Sequence, residues 1–177
     1  MRTPRLRGLA ATADRRVETL ILGSFPSAAS LAAGQYYAHP RNQFWLILSA
    51  VLDEPLVAMS YAQRLARLRA HAIGLWDVIG TCERTGSLDT AIRNVRENDV
   101  AQMLQRMPRL HRVLFNGQRA ARAAARFQVL GLATAVVPSS SPAHATVSLA
   151  AKVALWRQAL ADGRCKALPP APPRSTG

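Results

Sequence analysis

Apolar residues in this chain come in short runs closed by glycine, proline or asparagine, with stretches of helical spacing between them. Val17 to Leu22 is rich in β-favouring residues and stops at Gly23, which predicts a buried strand. A second strand is expected near Ile73 to Val78, a third over Arg112 to Phe115 before Asn116-Gly117, and a fourth over Thr134 to Val137 before Pro138. Helical patterns fall between them. Leu46 to Val51 continues from Phe44-Trp45, and Tyr61 to Ala70 sets Leu65 and Leu68 at helical spacing among arginines. Asp99 to Met107, an Ala/Arg-rich stretch reaching Phe127, and Thr146 to Leu160 complete the set.

Strands alternating with helices at this spacing predict a three-layer α/β/α fold with a central four-stranded parallel sheet. In such sheets ligands bind beyond the carboxyl ends of the strands, where strand order reverses. Gly23 to Ser27, Asn116-Gly117-Gln118 and Pro138 to His144 follow strands one, three and four. All three are therefore expected at one cleft.

At 177 residues the chain has the length of a single domain, read here as 17–162. A basic segment, 1–16, precedes it, and a Pro-rich tail without packing potential, 163–177, follows it. No apolar run approaches the length of a membrane span, and the start lacks the apolar stretch of a secretory signal. The expected setting is cytoplasmic, as a monomer. Cys82 and Cys165 are too few and too distant for a zinc site, a disulfide framework or an iron–sulfur cluster. No cofactor is expected.

Charge changes the picture more than length does. The formal net charge is +13, and 21 of the 23 basic residues are arginine, Lys152 and Lys166 being the exceptions. Arginine excess alone can reflect genome composition, but only 10 acidic residues oppose it. A surface so poor in Asp and Glu suits a polyanion, with phosphate contacts and counterion release supplying affinity. DNA is the expected partner.

Several residues near the expected cleft carry chemistry. Asn42 can hold a water through its carbonyl while its NH2 donates elsewhere, or it can cap the helix beginning near Gln43. Phe25, Phe44 and Tyr37 are candidates to stack on a base, against the plain alternative of core packing. Asn116 can read the hydrogen-bonding edge of a base, or serve only as an Asn-Gly turn. Arg41, Ser24, Ser27, Ser139, Ser140, Ser141 and His144 offer donors to DNA phosphates, with a helix start expected just after the serines. Asp77 stands alone at a strand end, where orienting a neighbour is commoner than acting as a base. Ser87 suits a helix cap. Neither His39 nor His144 sits in metal-ligand spacing, so no metal is expected.

Taken in order, Gly23-Ser24-Phe25-Pro26-Ser27, Tyr36 to Trp45, Leu75-Trp76-Asp77-Val78, Gly86-Ser87-Leu88-Asp89, Phe115-Asn116-Gly117 and Pro138 to Ala145 resemble the blocks of the uracil-DNA glycosylase superfamily. The similarity is nearest to its hypoxanthine-DNA glycosylase branch and spans about Val17 to Leu160. The mismatch-specific uracil glycosylases are similar through His39-Pro40 and Asn42 to Trp45, but their first-block catalytic Asn is replaced here by Phe25. The resemblance implies that Asn42 aims the water, that Asn116 reads the base, and that Ser139 to His144 press into the duplex. It implies hydrolytic removal of a deaminated base, hypoxanthine first, with uracil and xanthine sharing the same carbonyl and N–H.

Neither lysine is well placed to form a Schiff base, so strand cleavage through a covalent amine is not expected. The remaining alternatives are a mismatch-specific uracil or thymine glycosylase, a non-catalytic damaged-DNA binding protein and a small-molecule hydrolase.

Overall fold

The computed structural model describes residues 5–162. The expected tail, Cys165 and Lys166 lie outside the described residues. In chain order the elements are β1 (Arg5–Arg7), β2 (Thr19–Gly23), α1 (Ala28–Ala33), α2 (Phe44–Leu52), α3 (Tyr61–Ala70), β3 (Ile73–Asp77) and β4 (Ile79–Glu83). Then follow β5 (Arg93–Glu97), α4 (Val100–Arg106), β6 (Arg112–Asn116), α5 (Gln118–Ala121), α6 (Ala124–Gln128), β7 (Ala133–Val137) and α7 (Leu149–Ala161).

The central sheet has four parallel strands in the order β3-β2-β6-β7. Its side chains divide by the two-residue period of a strand. Leu20, Leu22, Val113 and Phe115 face one core, with Val100 and Met103 of α4 and Phe127 of α6. Ile21, Leu75, Leu114 and Val137 face the other, with Phe44, Ile47 and Leu48 of α2, Leu68 of α3 and Trp156 of α7. Helices on both faces make the expected three layers.

Local chemistry sets the helix limits. Ser60 accepts from the Gln63 N–H while Gln63 Oε1 accepts from the Ser60 N–H, a reciprocal box that starts α3 at Tyr61. Asp99 and Ser148 cap α4 and α7 by accepting from the N–H groups of Gln102 and Ala151. The single helix expected up to Phe127 is two short ones, α5 and α6.

A second sheet, antiparallel and ordered β1-β4-β5, was not announced by the apolar runs. Leu6, Phe25, Leu31, Ile79, Cys82 and Ile92 pack a small core beneath it. The segment before Val17, expected only as a basic segment, thus supplies a strand. Thr12 is also stitched to β3 through Thr12 N–H to Leu75 O (2.9 Å) and Leu75 N–H to Thr12 Oγ1 (3.0 Å). Among the described residues no helix is long and apolar enough to cross a membrane.

Arg112 joins sheet to helix. Its buried guanidinium donates to Thr19 Oγ1 on β2 and to the carbonyls of Ala159 (3.1 Å) and Leu160 (2.8 Å) at the end of α7. A cation at a helix carboxyl end meets both unpaired carbonyls and the negative end of the dipole. Arg112→Met should cost roughly 2–4 kcal/mol, seen as a fall of roughly 5–15 °C in Tm by calorimetry. An unchanged Tm would show that water replaces these bonds without loss.

Candidate active site

Beyond the carboxyl ends of β2 and β6 lies a cleft of about 290 Å3. The chain leaves β2 for β3 on one side, whereas β6 pairs with the other side of β2. This is the reversal of strand order at which α/β sheets bind ligands. All three segments expected to converge do line it: Gly23 to Ser27, Asn116 to Gln118, and residues of Ser139 to His144. Tyr36, Tyr37, Asn42 and Asp77 complete its inner wall.

Asn42 both supports the start of α2, from the residue before its N-cap Gln43, and lines the cleft. Its Oδ1 accepts from the Phe44 N–H (3.0 Å), steadying the first turn of α2, while the residue lines the cleft. A carbonyl oxygen has a second lone pair, so the amide can still accept from a water. Beside it Tyr37 holds a positive φ of 56°, a conformation that costs an aromatic residue about 1–3 kcal/mol. The Tyr37 ring lies stacked on Phe44, centroids 3.7 Å apart and planes 14° from parallel. Phe44, expected to stack on a base, is fully buried and does not line the cleft. It braces Tyr37 from behind, and Tyr37 is the ring the cleft presents. Burial first, then the Asp77 carboxylate, push the phenols of Tyr36 and Tyr37 above the usual tyrosine range, so both stay neutral.

Asn116 ends β6 with its amide gripped at both ends. Asn116 Nδ2 donates to Ser140 Oγ (2.9 Å), and the Ser140 backbone N–H donates to Asn116 Oδ1 (2.9 Å). A backbone N–H must meet an oxygen, which fixes the amide's orientation. This pairing uses one N–H and one lone pair, and the group has one more of each. Ser140, expected at a phosphate, is fully buried and orients Asn116 instead. Gly117 follows with φ 95°, and a Cβ there would lie 3.0 Å from Ser139 Cβ.

The first strand ends at a close approach. A Cβ on Gly23 would come within 2.5 Å of Asp77 Oδ1, its parallel partner in register on β3. Only glycine lets the Asp77 carboxylate reach the cleft floor. Phe25 lines the cleft under the Arg84 guanidinium, which sits 5.0 Å from its ring centroid and donates to Pro26 O (2.6 Å). Ser24 and Ser27 line the cleft too, but the Ser27 hydroxyl caps α1 by accepting from the Ser30 N–H (3.1 Å). Ser87, expected to cap a helix after it, instead accepts from Ala28 N–H (2.9 Å).

The opposite rim is the loop after β7. Ser139 and Ser141 line the cleft while accepting from the backbone N–H groups of Ser141 (3.2 Å) and Ala143 (3.3 Å). His144 lines it as well. The helix start expected just beyond these residues is displaced: α7 begins at Leu149, capped by Ser148, and does not line the cleft. Lys152 is buried in α7, where its ammonium donates to Gln43 Oε1 (2.9 Å) and His144 O (2.8 Å). Burial lowers its pKa from the usual lysine range. With the Gln43 N–H donating to Ser140 O (3.0 Å), this lysine ties the start of α2 to the rim loop.

Arg41 is exposed and stands outside the cleft lining. Sequence reasoning missed Arg119, a half-buried guanidinium that lines the cleft beside Gln118. Nothing local distinguishes it from the other arginines. Among the described residues no cluster of His, Cys, Asp and Glu is arranged to hold a metal. The cleft offers amides, aromatic rings, one carboxylate and a guanidinium. That set can hold a planar polar ring, aim a water and face a phosphate.

The family model of the uracil DNA glycosylase superfamily matches residues 11–162. A hypoxanthine DNA glycosylase of Methanosarcina acetivorans is 38% identical over 138 residues, covering 78% of this chain and 87% of the relative. One from Methanosarcina barkeri is 35% identical over 153 residues, 86% and 96% of the two chains. A solution NMR structure from Methanosarcina acetivorans, of a candidate uracil DNA glycosylase, superposes with a TM-score of 0.77 at 35% identity, covering 88% of this chain and 98% of its own.

Proposed function

Since the chain belongs to the uracil DNA glycosylase superfamily, we propose that it hydrolyses the N-glycosidic bond of a deaminated base in DNA, hypoxanthine before uracil or xanthine. The observation that carries this reading is the meeting of Asn42 and Asn116 in one cleft. Two amides from distant parts of the chain face the same space, one able to hold water and the other to read a base edge.

The target atom is hidden in duplex DNA, so the nucleotide must leave the stack, at a cost of a few kcal/mol that a mismatched pair reduces. The extruded base lies between the aromatic walls, Tyr37 and Phe25. The spare N–H of Asn116 donates to its carbonyl oxygen and the spare lone pair accepts from its ring N–H, a pattern adenine lacks. The C–N bond then breaks with its electron pair leaving on the base, which takes up a proton. The oxygen of the water held by Asn42 forms the new bond to the sugar, and its second proton is released. The Asn116 amide, fixed in place and aimed at the departing base, stabilises its charge without reorganising. Arg119 and the hydroxyls of Ser139 and Ser141 face the flanking phosphates.

The product is an abasic site with the strand intact. Lys152 supports this, because its amine is spent on Gln43 and His144 rather than lining the cleft. Duplexes carrying hypoxanthine, uracil or xanthine, treated with the protein and then with alkali, should break at the altered base, fastest for hypoxanthine. The rate should fall steeply as salt rises, and borohydride should trap no adduct. DNA binding without base release would leave only a damage-binding protein, and a salt-insensitive reaction would point to a small-molecule hydrolase.

A further inference from the structure

The reaction asks nothing of Lys152 beyond its absence from the cleft, yet the residue is unusual for its place. It is 1% exposed on α7, and the two oxygens its ammonium meets, Gln43 Oε1 and His144 O, are both neutral. Taking an ammonium out of water is costly, and neutral oxygens offset less of that cost than a carboxylate does. An apolar side chain of similar length would fill the same space without the cost. Residues that give up stability in this way belong to functional sites.

What it does follows from the bonds around it. Gln43 is the N-cap of α2 and directly follows Asn42. Its backbone N–H donates to Ser140 O (3.0 Å), and Ser140 in turn grips both ends of the Asn116 amide. An unbroken path therefore runs from Asn42 through Gln43 and Ser140 to Asn116. The Lys152 ammonium braces this path by joining the Gln43 side chain to His144 O, further along the same loop. One helical turn on, Trp156 Nε1 donates to Pro138 O (3.0 Å), where the loop begins. The Trp156 ring also meets Phe44 of α2 edge-on, with centroids 5.8 Å apart. Residues four apart share a helix face, so one face of α7 holds the loop at both ends. Gln43 and Asn116 hold its middle.

We propose that Lys152 is a positioning residue, whose ammonium fixes the separation of the Asn42 and Asn116 amides by locking the loop after β7 to the start of α2. It touches neither the base nor the water. The proposal rests on the glycosylase reading for the purpose of that separation, but the clamp is a separate claim. Gln43 and His144 are half-buried, so water can satisfy both oxygens when the lysine is replaced, though without holding them together. Lys152→Met in the full chain should therefore keep a Tm within a few degrees of the parent and a DNA affinity within a few-fold. Single-turnover release of hypoxanthine from a duplex should fall roughly 10- to 100-fold, the scale set by a displacement of about 1 Å between reacting groups. Gln43→Ala should lose as much, and the double variant no more than either single, because the same clamp is broken each time. Losses that multiply in the double variant would overturn the proposal. So would parent-like release by Lys152→Met, or losses in both variants that merely track unfolding. Amide hydrogen exchange reads the clamp without turnover. The N–H groups of Gln43 and Ser140 should exchange roughly 10-fold faster in Lys152→Met, with those of β2 and β6 unchanged. Unchanged protection at both would also overturn it. If the parent released no base, yet Lys152→Met still lost that protection, the clamp would stand and the glycosylase reading would fall.

Discussion

Asn42→Ala should lower single-turnover base release by about 10²–10³-fold while leaving affinity for the same DNA within a few-fold. The size follows from what the amide is asked to do. A water held at the sugar has already lost its freedom of translation and rotation, and a water that must find its own place has not. Asn42 also satisfies the Phe44 N–H at the start of α2 as a capping side chain would, so alanine removes a bond worth about 1 kcal/mol as well as the water's partner. Asn42→Ser separates the two losses. Serine caps a helix as well as asparagine does, but its shorter side chain cannot also reach into the cleft. The serine variant should regain the stability of the parent, read as Tm, and stay as slow as alanine. Full activity in either variant would remove Asn42 from the chemistry and leave it as a cap.

How much of this was legible in the sequence depends on how local each signal is. The two inner strands of the central sheet, β2 and β6, are buried on both sides, so continuous apolar runs ending in Gly23 or Asn116-Gly117 give them away. The antiparallel sheet is the reverse case. β5 is exposed at every position and β1 has only Leu6 turned inward, so neither shows a hydrophobic period, and their pairing is a long-range event. In the site, the convergence of loops followed from topology alone. The roles inside it did not. Whether Phe44 or Tyr37 meets the cleft turns on the left-handed backbone at Tyr37, which no residue preference announces. Ser140 looked like its neighbours until its bonds to Asn116, a contact across 24 residues, set it apart.

That contact makes Asn116→Asp the sharpest probe of base reading. Aspartate has nearly the same shape, and its oxygens can accept from the Ser140 N–H and from the Ser140 hydroxyl, which is free to rotate its proton. The fold should therefore persist, with little change in Tm. The cleft changes in kind. The N–H that would meet the base carbonyl is gone, and a negative charge faces a base that is itself becoming negative. Losing one preorganised donor costs about 10²–10³-fold, and the opposing charge adds to it, so a loss near 10³-fold is expected at neutral pH. Burial, and the Asp77 carboxylate on the same cleft wall, should raise the pKa of the new carboxyl above the ordinary aspartate value. As pH falls through that raised pKa, the carboxyl gains a proton and becomes a donor again. Base release by Asn116→Asp should therefore rise relative to the parent on acidification, measured as the ratio of single-turnover rates at each pH. A ratio that stays flat, or parent-like activity at neutral pH, would mean that Asn116 supports the rim loop through Ser140 without touching the base.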